Sequence, residues 1–317
     1  MKLNSVRSQL VVACSLIFFG LLVSLSISYY ALYKLTFAGD RVFYGKHLSE
    51  VAAEIRQELL ERQDAKSVEF CTQDGLKLSG FLITRKDATV NAVMCHGYQG
   101  RKEFMYALID LFPDWNILLF DFRAHGQSEG TITSIGYHEY KDVIAAVNFM
   151  KKTFNADADT KNSTVVLGIS MGGAATLKAA ELEPNLADAL IIDSTYAVLS
   201  DMMLKGFSVK SGLPYYPFFP LIKQMYRYLA NFDINSMNPQ ESVKVIKKPI
   251  FFIHSCNDNF ISPIDTLQLY ANAKNKKSKL WIGPPCRHGW LHCYQKETYQ
   301  RKVLKFVATV VTSRCSS

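Results

Sequence analysis

Two kinds of hydrophobic pattern divide the chain. Between Arg7 and Lys34 no charged residue occurs, and Leu10 to Tyr33 is dominated by Leu, Val, Ile, Phe and small residues. As a helix rising about 1.5 Å per residue, that stretch outruns the roughly 30 Å hydrocarbon core of a bilayer. It is too long for a signal-peptide core, and Tyr29-Tyr30 stands where a small-residue cleavage site is needed. Val11-Val12-Ala13-Cys14 loosely mimics a lipoprotein box, but the apolar stretch lies after the cysteine rather than before it. The pattern predicts a short tail over 1–8 and an uncleaved transmembrane signal anchor over 9–34, with a cleaved signal as the alternative. Leu48, Val51, Ala52, Ile55 and Leu59 then recur at helical spacing. They predict an amphipathic helix within a linker over 35–64, packed on the body or lying at the bilayer.

From residue 65 the pattern changes to short apolar runs separated by helix-like stretches. The runs are Val68 to Cys71, Leu76 to Thr84, Thr89 to Cys95, Asn116 to Asp121, Thr164 to Gly168, Ala189 to Asp193, Pro249 to His254 and Lys279 to Ile282. Runs such as Pro249 to His254 are almost wholly apolar, as strands buried on both faces must be. With helices such as Ser134 to Lys152 between the later runs, the order predicts an α/β domain over 65–313. Its mainly parallel eight-stranded sheet would carry helices on both faces. Asp74-Gly75 is a hairpin signal, so the sheet is expected to open antiparallel. A chain of 317 residues suffices for one large core of this kind. Residues 194–246 break the rhythm with Pro214, Pro217 and Pro220 and a cluster of aromatic and methionine side chains.

Candidate chemistry sits at the ends of the apolar runs. After Thr164 to Leu167 comes Gly168-Ile169-Ser170-Met171-Gly172-Gly173, and a helix-like run follows. Strand, Gly-x-Ser-x-Gly, helix is the context of a nucleophile elbow, whose tight turn needs glycine on either side of a strained serine. His96-Gly97-Tyr98-Gln99-Gly100 follows the third run, and Asp121-Phe122-Arg123-Ala124-His125-Gly126-Gln127-Ser128 follows the fourth. Asp258 to Pro263 reads Asp-x-x-Ile-x-Pro after the seventh run, and His288-Gly289 follows the eighth. A serine hydroxyl is a poor nucleophile at neutral pH, so it needs an imidazole to take its proton and an anion to hold that imidazole.

In these motifs the chain resembles the α/β-hydrolase superfamily, in particular bacterial esterase and serine-aminopeptidase-like members with a short lid, over about residues 65–311. The resemblance implies an α/β-hydrolase fold with the lid inserted after strand 6, about 194–246. It implies Ser170 as nucleophile, His288 as base and Asp258 as its partner, in the chain order of that superfamily. The amides of Tyr98 and Met171 would form the oxyanion hole. His292 is the competing base and Asp193 the competing acid, while His96, Asp121, Arg123, His125, Ser128 and His254 read as scaffold. The implied activity is hydrolysis of a carboxylester or lipid-acyl ester, a small-molecule or lipid acyl substrate. A thioesterase, a serine peptidase or a non-catalytic binding protein on the same fold are the alternatives.

Charge and cysteine change the picture little. The net charge of +8 is spread along the chain without an aromatic-rich basic face, so no nucleic acid is expected as a partner. Seven cysteines and seven histidines show no paired metal-ligand spacing, and no glycine-rich phosphate loop occurs, so neither metal nor cofactor is expected. Cys71, Cys95 and Cys256 read as buried free thiols, whereas Cys286 and Cys293 are close enough in sequence for a local bridge. Lys2 and Arg7 flank one side of the apolar span and Lys34, Arg41 and Lys46 the other, a nearly balanced count. A single-pass membrane protein with the enzyme on the extracytoplasmic side is expected from signal-anchor behaviour.

Overall fold

The computed structural model describes residues 2–36, 46–154 and 162–311. The strands are β1 Ala65–Cys71, β2 Lys77–Ile83, β3 Val90–Cys95, β4 Trp115–Phe120, β5 Ser163–Ile169, β6 Ala189–Asp193, β7 Ile250–Ser255 and β8 Lys279–Gly283. They form one sheet in the order β1-β2-β4-β3-β5-β6-β7-β8. β2 runs antiparallel to both β1 and β4, and every other pairing is parallel. The hairpin between β1 and β2 turns at Gly75, whose φ of +88° lies in the left-handed region that glycine occupies without strain.

The helices are α1 Lys2–Thr36, α2 Lys46–Glu61, α3 Ala107–Leu111, α4 Tyr140–Phe154, α5 Met171–Leu182, α6 Leu199–Ser211, α7 Phe218–Leu229, α8 Pro239–Ser242, α9 Pro263–Asn272, α10 Leu291–Tyr294 and α11 Lys296–Val311. They cover both faces of the sheet, and the strand side chains explain why. Val93, Val166, Leu190, Ile192 and Phe252 point into a core shared with α4, α5 and the 194–246 insertion. Their neighbours Ala92, Met94, Val165, Leu167, Ile191, Phe251 and Ile253 point the other way, into a core shared with α2, α3 and α11. Alternate residues of one strand thus feed two cores, which is why these strands read as continuous apolar runs.

Several expectations need correction. The first helix begins at Lys2 and takes in the segment expected as a short tail, and Met1 lies outside the described residues. The helix expected from Ser134 starts at Tyr140. Ile135 and Gly136 have φ of +53° and +114°, which no helix accommodates. Glu139 holds that turn instead, accepting from Thr133 Oγ1, from the Ser134 backbone and hydroxyl, and from Gly136 N. Cys71 and Cys256 are exposed rather than buried, because they fall at strand ends where the sheet meets solvent. Cys286 and Cys293 are free thiols. Arg41, counted in the charge balance, lies outside the described residues, as do linker residues 37–45.

The amphipathic helix forms as α2 and packs on the body. Ala52 and Leu59 are buried, and Arg56 Nε donates at 2.9 Å to Oε1 of Glu103, a fully buried carboxylate. α1 contains a 24-residue stretch, Leu10–Tyr33, with an 18-residue window of mean hydropathy 2.6, long and apolar enough to cross a membrane. Most of it is exposed, but Ser28 and Leu32 are fully buried against the insertion.

Candidate active site

The site lies at the carboxyl edge of the parallel strands, where α/β sheets place their ligands. Ser170 stands alone between β5 and α5, with φ 55° and ψ −118°. A non-glycine residue in that conformation stores strain, and the surroundings must hold it there. They do so with backbone bonds: Ser170 N donates to Asp193 O at 2.8 Å, and its carbonyl accepts from Ala174 N at 3.1 Å and from Thr195 Oγ1 at 3.0 Å. The flanking glycines are required by space. A Cβ on Gly172 would overlap the carbonyl oxygens of Cys95 and His96, and one on Gly168 would overlap the backbone of Gly172.

His288 reaches Ser170 from the loop after β8. That loop is tied to the end of β7, since Ser255 Oγ donates to Pro284 O at 3.0 Å and accepts from Cys286 N at 2.9 Å. Gly289, φ +69°, passes beside Ile169. His288 Nε2 lies 2.9 Å from Ser170 Oγ, and His288 Nδ1 lies 2.6 Å from Asp258 Oδ2. A carboxylate accepts only, so the Nδ1 hydrogen points to Asp258 and Nε2 is left to accept from the serine hydroxyl.

Asp258 is held from several sides. Its Oδ1 accepts from Phe260 N at 2.9 Å and Ile261 N at 3.0 Å, and its Oδ2 also lies 3.2 Å from His254 Nε2. Burial by itself would raise this carboxyl. The hydrogen bonds from His254 and His288, the charge of His288 and the Phe260 amide outweigh it and hold Asp258 well below the usual carboxylate range. His254 was read as scaffold from its place at the end of a buried strand. Its Nδ1 lies 2.6 Å from Thr266 Oγ1 and its Nε2 3.1 Å from Ile261 O. Two acceptors facing Nε2 put the hydrogen there, so His254 is a second donor to Asp258. The four-residue spacing from His254 to Asp258 was the available signal for this contact. Phe260, whose ring centroid is 5.1 Å from that of His288, also escaped the sequence reading, since its role depends on a loop conformation.

The segments that carry the two expected oxyanion donors border the serine. Gly97 packs so closely that a Cβ there would lie 3.3 Å from Ser170 Cβ, which brings the His96–Tyr98 turn against the serine. Met171 is the first residue of α5, where backbone N–H groups have no partner within the helix. The rivals are placed elsewhere. Asp193 is buried and accepts at Oδ1 from Ser194 Oγ at 2.8 Å, while burial raises its carboxyl. His292 is buried with Nδ1 lacking a hydrogen-bond partner, and burial pushes its pKa down to about 4.

The remaining polar motifs brace the elbow. Asp121 accepts from the Lys102 backbone and ammonium and from Gln127 N. Arg123 is clamped between Asp142 and Asp74, and Ser128 Oγ donates to Asp121 O at 2.6 Å. His125 Nε2 accepts from Gln99 N at 3.2 Å, and His96 Nε2 accepts from Phe122 N at 3.1 Å. Among the described residues no cluster of His, Cys, Asp and Glu is suited to a metal ion.

An eight-stranded, mainly parallel sheet of this order, with a serine on a strained turn after β5, is the α/β-hydrolase fold, and the chain resembles that superfamily in sequence as well. A profile described as alpha/beta hydrolase fold matches residues 93–220. The uncharacterized protein YqkD of Bacillus subtilis is 26% identical over 74% of this chain and 76% of its own length. An uncharacterized membrane protein of Saccharomyces cerevisiae is 24% identical over 68% of this chain and 71% of its own. The structure of the Pyrococcus furiosus esterase Pf2001 superposes with a TM-score of 0.65 at 24% identity, covering 80% of this chain and 93% of the esterase.

Proposed function

We propose that the protein is a membrane-anchored serine hydrolase that cleaves a carboxylester or lipid-acyl ester through an acyl-enzyme. The single observation that carries this reading is the unbroken series Ser170 Oγ, His288 Nε2, His288 Nδ1, Asp258 Oδ2, with spacings of 2.9 and 2.6 Å at its two hydrogen bonds. Ser170 attacks the ester carbonyl while His288 takes the hydroxyl proton at Nε2, and Asp258 stabilises the imidazolium that results. The negative charge on the former carbonyl oxygen is received by the amides of Tyr98 and Met171, an arrangement worth about 10²–10³-fold per donor. His288 then gives its proton to the leaving alcohol as the C–O bond breaks. A water molecule, deprotonated by the same nitrogen, releases the acid and restores Ser170. The apolar stretch of α1 serves as the anchor, with the hydrolase domain on the extracytoplasmic side. The membrane protein of yeast among the relatives is consistent with an anchor.

The test is hydrolysis of p-nitrophenyl esters of increasing acyl length by the full chain in detergent micelles, beside Ser170→Ala. The expected outcome is turnover lost in the variant and fluorophosphonate labelling that disappears with it. Absence of both turnover and labelling in the unaltered chain would favour a binding protein on this fold.

A further inference from the structure

The insertion between β6 and β7 and the apolar helix are packed together. On α1, Ser24, Ile27, Ser28, Ala31 and Leu32 are shielded while their neighbours are exposed. Offsets of 0, 3, 4, 7 and 8 make one helical stripe. This stripe lies on α7, where Ser28 Oγ approaches Phe218 O at 3.5 Å and Leu32 joins the core of the insertion. Ser24 and Ser26 return their hydroxyls to Gly20 O and Leu22 O at 2.8 and 2.9 Å, as hydroxyls in a water-free layer must.

Length then fixes depth. Leu10 to Val23 rises only about 21 Å at 1.5 Å per residue, short of the roughly 30 Å hydrocarbon core. The crossing must be completed by Ser24 to Tyr33, the residues on which α7 is seated. A body attached there cannot stand clear of the bilayer. The part of the insertion at that level suits the position: residues 211–222 carry no charge, and Tyr216 and Tyr215 are 73% and 38% exposed. Tyr29, Tyr30 and Tyr33 lie on the facing end of α1. Tyrosines, with apolar rings and polar tips, gather at the membrane–water boundary.

We infer that the turn joining α6 and α7 docks in the head-group layer of the bilayer that holds α1, so that the insertion expected to cover Ser170 is itself seated in the membrane. The partner is the lipid surface. Substrate carried in that layer would then meet the cover without crossing bulk water. The inference rests on the reading of α1 as a membrane span, and the experiment separates the two.

Benzoylphenylalanine is placed singly at Phe18, Tyr216 and Leu304 of the full chain. The protein is reconstituted in phosphatidylcholine–phosphatidylglycerol vesicles, irradiated, and read by mass spectrometry for lipid adducts. Leu304 is 38% exposed on α11, against the opposite face of the sheet. The inference expects adducts from Phe18 and Tyr216 and none from Leu304. Adducts from Phe18 with none from Tyr216 would overturn the docking and leave the anchor standing. No adduct from either would overturn both. An adduct from Tyr216 without one from Phe18 would discard the span and overturn the inference with it, because the depth of the turn is set by α1. Adducts from Leu304 equal to those from Tyr216 would also overturn the docking, by showing no preferred face.

Discussion

At the scale of single residues, Asp258 shows how a buried charge is made useful. Four donors converge on it, two backbone amides and two imidazoles. Asp258→Asn keeps the shape but presents an amide where His288 Nδ1–H needs an acceptor, which favours the wrong tautomer. Hydrolysis of a p-nitrophenyl ester at pH 7 is expected to fall by about 10²–10⁴-fold, with KM little changed. His292 supplies the opposite lesson. Its folded pKa, pushed down to about 4 by burial, lies below the roughly 6.5 of an unfolded histidine. As pH falls from 6.5, the unfolded chain takes a proton that the folded chain refuses. Stability is therefore lost between pH 6.5 and about 4, by about 3 kcal/mol, and no further below that window. In urea titrations at pH 7 and pH 4, His292→Gln should lose less stability on acidification by about that amount. A variant that tracks the unaltered chain at both pH values would refute this account.

At the scale of elements, the elbow and α2 depend on partners remote in sequence. The run 164–182 announced a strand, a turn and a helix, and Gly168 and Gly172 were legible as the residues that permit close approach. What they approach was not legible: the carbonyls of Cys95 and His96, more than seventy residues upstream, meet Gly172. α2 was foreseen from its period, but its alternatives, body or bilayer, were separated only by the fold. Arg56 reaches across to Glu103, whose second oxygen, Oε2, has no hydrogen-bond partner. Removing the guanidinium leaves a buried carboxylate with Lys102 at 3.7 Å as its nearest cation. Arg56→Ala should cost about 1–3 kcal/mol, discounted from a fully buried pair because Arg56 is partly exposed. Adding Glu103→Gln should restore part of that loss, and a double variant no better than the single one would argue against the pairing. The helix expected from Ser134 failed at this scale, because its first residues are folded around the Glu139 carboxylate rather than along a helix axis.

At the scale of the whole molecule, an apolar helix and an α/β domain are not merely joined in sequence; the helix packs on α7, in the insertion between β6 and β7. With Leu10–Tyr33 in the bilayer, the full chain should stay in the membrane pellet after extraction at alkaline pH, and residues 46–317 should not. Release of the full chain by that treatment would sink the anchor.

The sequence by itself determined the local features. Apolar periodicity gave the succession of strands along the chain, the apolar helix and α2, because burial on one or two faces leaves a repeat of fixed length. The glycine-flanked serine, Asp258 and His288 were readable because each chemistry needs a particular residue type at a strand end. The tertiary structure alone decided what those residues meet: that Asp258 rather than Asp193 faces His288, that His254 is a second donor to the acid, and that α7 rests on α1. Such choices depend on distances of a few ångströms between segments far apart in the chain, and no local pattern encodes them.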